Sequence, residues 1–150
     1  VTVASRPDPD RLAVWRQFLT AHSVIVGALA HELEADPRGM PLTWYDVCVQ
    51  LSEAGGRLRM SELAGRALLD KSSLTRVVDR MCAAGLVVRE PDPEDGRGVV
   101  AVLTPEGRAR FRAAAAVHLR GVQRRFARHL TDTDVAALAR AFGKLVADDA

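Results

Sequence analysis

One polar hairpin inside an otherwise helical pattern does most to limit what this chain can fold into. Residues 86–90 (Leu-Val-Val-Arg-Glu) and 99–103 (Val-Val-Ala-Val-Leu) are β-rich runs. The polar stretch 91–98 joins them, with turn chemistry at Asp95-Gly96. Elsewhere apolar residues recur every three to four positions, the period of an amphipathic helix. From Asp10 to about Asp36 the inward positions are Trp15, Phe18, Leu19, His22, Ile25, Val26, Leu29 and Leu33. Asp36-Pro37-Arg38-Gly39 and Pro41 stop that helix. Thr43 with Asp46 fits a capping box opening a helix that Gly55-Gly56 ends. Residues 57–60 alternate like a short strand, and Ser61 can cap a short helix through Leu63, Ala64 and Ala67. A further helix spans about Lys71 to Ala84, with Gly85 as its stop. Thr104-Pro105-Glu106 opens a helix to about Leu130, and Thr131 with Asp134 opens the last one.

The predicted order is helix, helix, short strand, two helices, two strands, two helices. Residues 57–103 then read as a helix-turn-helix followed by a hairpin, which is the plan of a winged helix. The predicted fold is mainly α: a winged helix-turn-helix over residues 40–103, long dimerisation helices over 10–36 and 104–147, and a disordered arm over 1–9.

Composition excludes several classes and hides one clue. The chain has 150 residues, 48% hydrophobic and 27% charged, so disordered, collagen-like and disulfide-scaffold classes are out. Acidic and basic residues nearly balance, at 19 against 21. All the basic residues except Lys71 and Lys144 are arginine, the better fork for phosphate and guanine edges. Cys48 and Cys82 lie in apolar helical patterns and read as buried thiols of a reducing cytosol. Residues 1–7 carry no long apolar run, which predicts neither a signal peptide nor a membrane span, and a cytoplasmic protein.

The helix over 71–84 has two faces. Leu74, Val77, Val78 and Met81 face the core; Ser72, Arg76, Asp79 and Ala83 face out, with Arg80 beside them and Ser73 and Thr75 on the flanks. Hydroxyls can bond phosphates or base edges, and Arg can bond guanine bidentately. Arg97 sits just past the hairpin tip, where it can enter a narrow minor groove, and Asp95 could pair with it. The alternatives are a solvated helix face and a surface ion pair at a turn.

Five segments carry a resemblance: Ser61-Glu62-Leu63-Ala64, then Ser73-Leu74-Thr75-Arg76-Val77-Val78-Asp79-Arg80-Met81, then Ala84-Gly85-Leu86-Val87, then Asp92-Pro93-Glu94-Asp95-Gly96-Arg97, then Leu103-Thr104-Pro105-Glu106-Gly107. In this order and spacing the chain resembles the MarR family of bacterial transcriptional regulators, from about residue 10 to 147. The resemblance implies a homodimer interlocked through its terminal helices, binding double-stranded DNA at a pseudo-palindromic operator. It gives a DNA-contacting set of Ser61, Lys71, Ser72, Ser73, Thr75, Arg76, Arg80, Asp95 and Arg97, with Arg97 in the minor groove. It also implies a small aromatic carboxylate or phenol as effector, with Trp15, Arg16, Phe18, Leu19, His22, Trp44, Arg112 and His118 as candidate contacts. Ordinary core or interface packing is the alternative for each of these.

The terminal helices support dimerisation on physical grounds. A helix of about 26 residues is about 39 Å long, more than a winged-helix core of about 50 residues can cover alone. The apolar stripes at Trp15 to Leu33, Phe111 to Phe126 and Val135 to Val146 therefore need a partner. No cofactor, metal site or catalytic residue is expected: phosphate-loop, nucleophile-elbow and zinc-protease motifs are lacking, as is any His pair at ligand spacing. The expected function is a repressor released by its ligand. The alternatives are a redox- or metal-responsive regulator of the same fold, or a winged helix used for protein contacts.

Overall fold

The computed structural model describes residues 6–67 and 69–147. Its elements are α1 (Pro9–Ala35), α2 (Leu42–Glu53), β1 (Arg57–Arg59), α3 (Met60–Arg66), α4 (Lys71–Ala83), β2 (Val87–Pro91), β3 (Val99–Leu103), α5 (Pro105–Arg125), a 3-10 turn (Ala127–His129) and α6 (Asp132–Ala147). This is the order expected from the sequence, mainly helical with one small sheet. Residues 1–5 of the expected arm lie outside the described residues, and Pro9 already belongs to α1. Asp8 receives the Arg11 amide at 2.9 Å and so caps that helix.

The sheet is antiparallel, in the order β1-β3-β2. Arg57 pairs with Val102 and Arg59 with Val100; on the other edge Val87 pairs with Leu103 and Pro91 with Val99. Pro91, which lacks an N–H, stands at the end of an edge strand, where no ladder bond is lost.

The helix ends show where local sequence reading succeeds and fails. Thr131 and Asp134 form the expected reciprocal cap: the Thr131 amide donates to Asp134 Oδ2 at 2.9 Å, and the Asp134 amide donates to Thr131 Oγ1 at 3.2 Å. Thr104 caps α5 as expected, accepting from the Gly107 amide at 2.9 Å and donating to the Gly85 carbonyl at 2.7 Å. Gly85, at φ +75°, ends α4 with the Leu86 amide bonded to the Met81 carbonyl at 3.0 Å. Two expected caps are not formed. Helix α2 starts at Leu42, one residue before Thr43, because the Pro41 carbonyl already accepts from Trp44 and Tyr45. Helix α3 starts at Met60, so Ser61 lies inside it; Glu62 reaches back to the Arg59 amide at 3.3 Å instead. Helix α5 also ends at Arg125, short of the expected Leu130, with the 3-10 turn following.

Two compact units divide the chain. One, Leu29–Leu119, is built around Leu33, Val47, Leu51, Leu63, Leu74, Val78, Met81, Val87, Ala101, Leu103 and Ala114, all buried. Each large aliphatic side chain buried there contributes about 1.5–3 kcal/mol. Helix α5 approaches the sheet closely at Gly107, where a Cβ would stand 2.1 Å from the Leu86 carbonyl oxygen. Cys48 is buried in this core, and desolvation pushes its thiol up to about 12, which makes it unreactive.

The other unit comprises Val1–Ala28 and Arg120–Ala150, of which residues 6–28 and 120–147 are described. Only Gly121 among them is buried. Trp15 stacks on Phe18 with centroids 5.9 Å apart, and Phe18 meets Phe142 at 5.9 Å. Trp15 nevertheless stays 55% exposed, Leu145 65% and Val146 71%. Helix α1 is also long and apolar enough to cross a membrane by length and composition, although the sequence reading expects no membrane span.

Candidate nucleic-acid interface

The two faces of α4 are those expected from its periodicity. Leu74, Val77, Val78 and Met81 are buried; Lys71, Ser72, Thr75, Arg76, Asp79 and Arg80 are exposed and Ser73 is half-buried. Asp70 caps the helix. Its carboxylate accepts the Ser73 amide at 2.9 Å and both the Ser72 and Ser73 hydroxyls at 2.6 Å. These bonds hold the Asp70 carboxyl well below the usual carboxylate range. The Thr75 hydroxyl donates to the Lys71 carbonyl at 3.0 Å. All three hydroxyls donate within the chain, two to the Asp70 carboxylate and one to the Lys71 carbonyl, which leaves their oxygens as acceptors. The start of α4 therefore carries hydroxyl acceptors beside the Lys71 ammonium, and the guanidinium donors of Arg76 and Arg80 follow along the same exposed face.

Ser61, Lys71, Thr75 and Asp95 line one recess together with Arg59 and Asp92, which brings the start of α3, the start of α4 and the hairpin to one side of this unit. The hairpin is closed by the Asp92 amide to the Gly98 carbonyl at 3.0 Å and by the Gly98 amide to the Asp95 carbonyl at 2.8 Å. Asp95 was expected to pair with the Arg97 side chain. It instead accepts the Arg97 backbone amide at 3.1 Å, because an Asx turn satisfies the tight loop first. The Arg97 guanidinium is exposed and has no partner among the described residues. Glu94, an acid at the tip, is neutralised by Arg59 at 2.9 Å.

The effector candidates divide between the two units. Trp15, Arg16, Phe18, Leu19 and His22 belong to the N-terminal part of α1 and are exposed, with Phe18 and His22 centroids 6.2 Å apart. Trp44, Arg112 and His118 belong to the winged unit. There Arg112 is exposed and Trp44 packs on the core. The His118 ring lies 4.5 Å from Tyr45, with its Nδ1 buried and unpartnered. Desolvation lowers the His118 pKa below its ordinary 6.5. The unfolded chain then binds that proton more readily, so stability is full above about pH 6.5 and is lost as pH falls below it. Thermal midpoints measured from pH 7 to about 5.5 should show this fall, and His118→Phe should flatten it; an unchanged slope in the variant would exclude His118 as the cause.

The sequence model of the MarR family matches residues 38–98. Across nearly the whole length, the chain is 32% identical to AbsC, a MarR family transcriptional regulator from Streptomyces coelicolor, covering 97% of each chain with a TM-score of 0.87. The chain belongs to the MarR family. MarR family proteins are transcription regulators, not enzymes. Sco3205, another MarR family regulator of Streptomyces coelicolor, solved in complex with DNA, is also 32% identical, with a TM-score of 0.88 over 99% of this chain and 92% of that one. Among curated proteins, the multiple antibiotic resistance protein MarR of Salmonella typhimurium is 34% identical over 73 residues, 49% of this chain. The match spans about half the length of that relative.

In this MarR-family chain, three side chains that shape the interface had not been singled out from sequence. Asp70 orders the hydroxyls of α4. Arg59 pairs with Asp92 and Glu94 in the hairpin. Arg89, on β2, bonds Asp79 at 2.6 Å and the Thr75 carbonyl at 3.5 Å, tying the hairpin to α4. Only Asp70 left a local signal, an acid one position before the helix. The other two join residues far apart in sequence. Of the α5 arginines, Arg110 donates to the Gly39 carbonyl at 3.1 Å and Arg108 packs over Gly56, so both serve the fold.

Proposed function

We propose that this MarR-family chain is a cytoplasmic, homodimeric, sequence-specific DNA-binding repressor. One observation carries the reading: an exposed α4 face and an unpaired Arg97 at the wing, in a chain 32% identical over nearly its whole length to a regulator solved with DNA. Arg76 and Arg80 suit guanine N7 and O6, and the hydroxyl oxygens near the start of α4 suit the amino groups of adenine and cytosine. Arg97 suits a narrow A·T minor groove. The other DNA-facing candidates, Ser61 and Lys71, lie at the rim, where Lys71 suits a phosphate. The apolar surface of the α1–α6 unit supports a dimer, and this also accounts for the apolar length of α1. A two-fold dimer would present its recognition helices about 34–36 Å apart, one helical turn of DNA.

Selection from a pool of random duplexes tests the function. The recovered sites should be inverted repeats with half-site centres one turn apart; no enrichment would overturn it.

The regulatory half of the proposal is release by a small aromatic or phenolic ligand, which must bind the DNA-free conformation more tightly than the DNA-bound one. Within the α1–α6 unit alone, the exposed rings of Trp15 and Phe18, on the same helix as Arg16, supply stacking and charge partners for such a molecule. Cys48, buried and shifted upward, disfavours redox sensing through that thiol. Among the described residues no three His, Cys, Asp or Glu side chains stand together as a metal site.

A further inference from the structure

We propose that Arg59, on the strand next to the wing, is a positioning residue that aims the wing arginine at DNA. This rests on the DNA-binding reading above and adds a residue to it. Asp92 is the one charged residue buried among those described, at 5% exposure. A buried carboxylate is tolerated only when paired. Its partners are the Arg59 guanidinium and the Glu94 amide at 2.9 Å. The same guanidinium reaches the Glu94 carboxylate at 2.9 Å. One side chain of β1 therefore grips two residues at the start of the wing turn, more than thirty positions away in sequence.

The far end of the turn closes on the same carboxylate. The Asp92 amide donates to the Gly98 carbonyl, and Gly98 lies so close that a Cβ there would stand 3.0 Å from that of Asp92. Arg97 is the residue before Gly98. Its guanidinium has no partner among the described residues, so the backbone of the turn, held by the Arg97 amide to Asp95 at 3.1 Å, sets where that side chain starts. Arg59 itself is fixed twice, by its register with Val100 and by the Glu62 carboxylate on its amide. The chain of support runs from the sheet through Arg59 to Asp92, then through Gly98 to Arg97.

If Arg59 acts through Arg97, losing Arg97 should hide the loss of Arg59. The experiment is a double-mutant cycle with Arg59→Ala, Arg97→Ala and the double variant. Binding of the full chain to its selected duplex is read by fluorescence anisotropy. Arg59→Ala should weaken binding about tenfold, and the double variant should bind within about twofold of Arg97→Ala. Arg59→Ala should also reduce the preference for A·T over G·C at the wing positions, which a general loss of stability would not do. Glu94→Gln keeps the buried pair and removes only the outer arm. It gives a second cycle if Arg59→Ala fails to fold, with a smaller loss that Arg97→Ala again hides. Losses that multiply, or an Arg59→Ala protein that binds like the wild type, would overturn the proposal. A wild-type chain that binds no duplex would instead overturn the DNA-binding reading beneath it.

Discussion

Phe142→Asp is expected to convert the protein to a monomer and to remove operator binding with it. Phe142 lies on α6, 5.9 Å from Phe18 and 40% exposed, beside the still more exposed Leu145 and Val146. The unit that holds it has almost no buried residues among those described, and in the proposed dimer a second copy would cover its apolar side chains. A carboxylate there would be desolvated without a partner in both subunits. That costs about 3 kcal/mol or more, a hundredfold or more in the dimer constant. Sedimentation or light scattering should move from twice the 16.2 kDa chain mass to the chain mass itself. The winged unit keeps its own core, so helical circular dichroism should largely survive. A variant that stays dimeric would place the interface elsewhere.

Arg76→Ala should change which bases are preferred as well as how tightly DNA is held. Arg76 is exposed on α4, one turn beyond the Asp70 clamp, and has no side-chain partner among the described residues. As a bidentate reader of guanine it is worth about 1–3 kcal/mol on its site and sets selectivity at one position of each half-site. Binding to single-base variants of the selected operator should show the wild-type preference at that position flattened. A uniform loss over all variants, with a salt slope lower by about 1, would assign Arg76 to a phosphate instead.

What the sequence carried was whatever depended on neighbours in the chain. The period of Leu74, Val77, Val78 and Met81 fixed both faces of α4, since burial follows the helical repeat. The Thr131–Asp134 cap, the Thr104 start and the Gly85 stop are local motifs and formed as expected. Ser61 and Thr43 failed as caps for an equally local reason: a residue just upstream had already begun each helix, through Glu62 reaching Arg59 and through the Pro41 carbonyl. Asp95 lost its expected partner because a backbone amide was nearer than a guanidinium. The Arg59–Asp92–Glu94 and Arg89–Asp79 links were out of reach because tertiary packing, of β1 beside the hairpin and of β2 against α4, brings them together. The near balance of 19 acids against 21 bases also acquires a reason. Several acids are spent on neighbouring arginines of the winged unit, which leaves Arg76 and Arg97 unpaired at the surface proposed to meet DNA.

The account turns on sequence-specific duplex binding by a dimer. The most direct measurement is a titration of the wild-type protein against its selected duplex and against a shuffled duplex of equal length, repeated from about 50 to 200 mM salt. The account predicts two chains per site, a preference of about a thousandfold or more for the selected duplex, and weaker binding to both duplexes as salt rises. Equal affinity for the two duplexes at every salt concentration would contradict it.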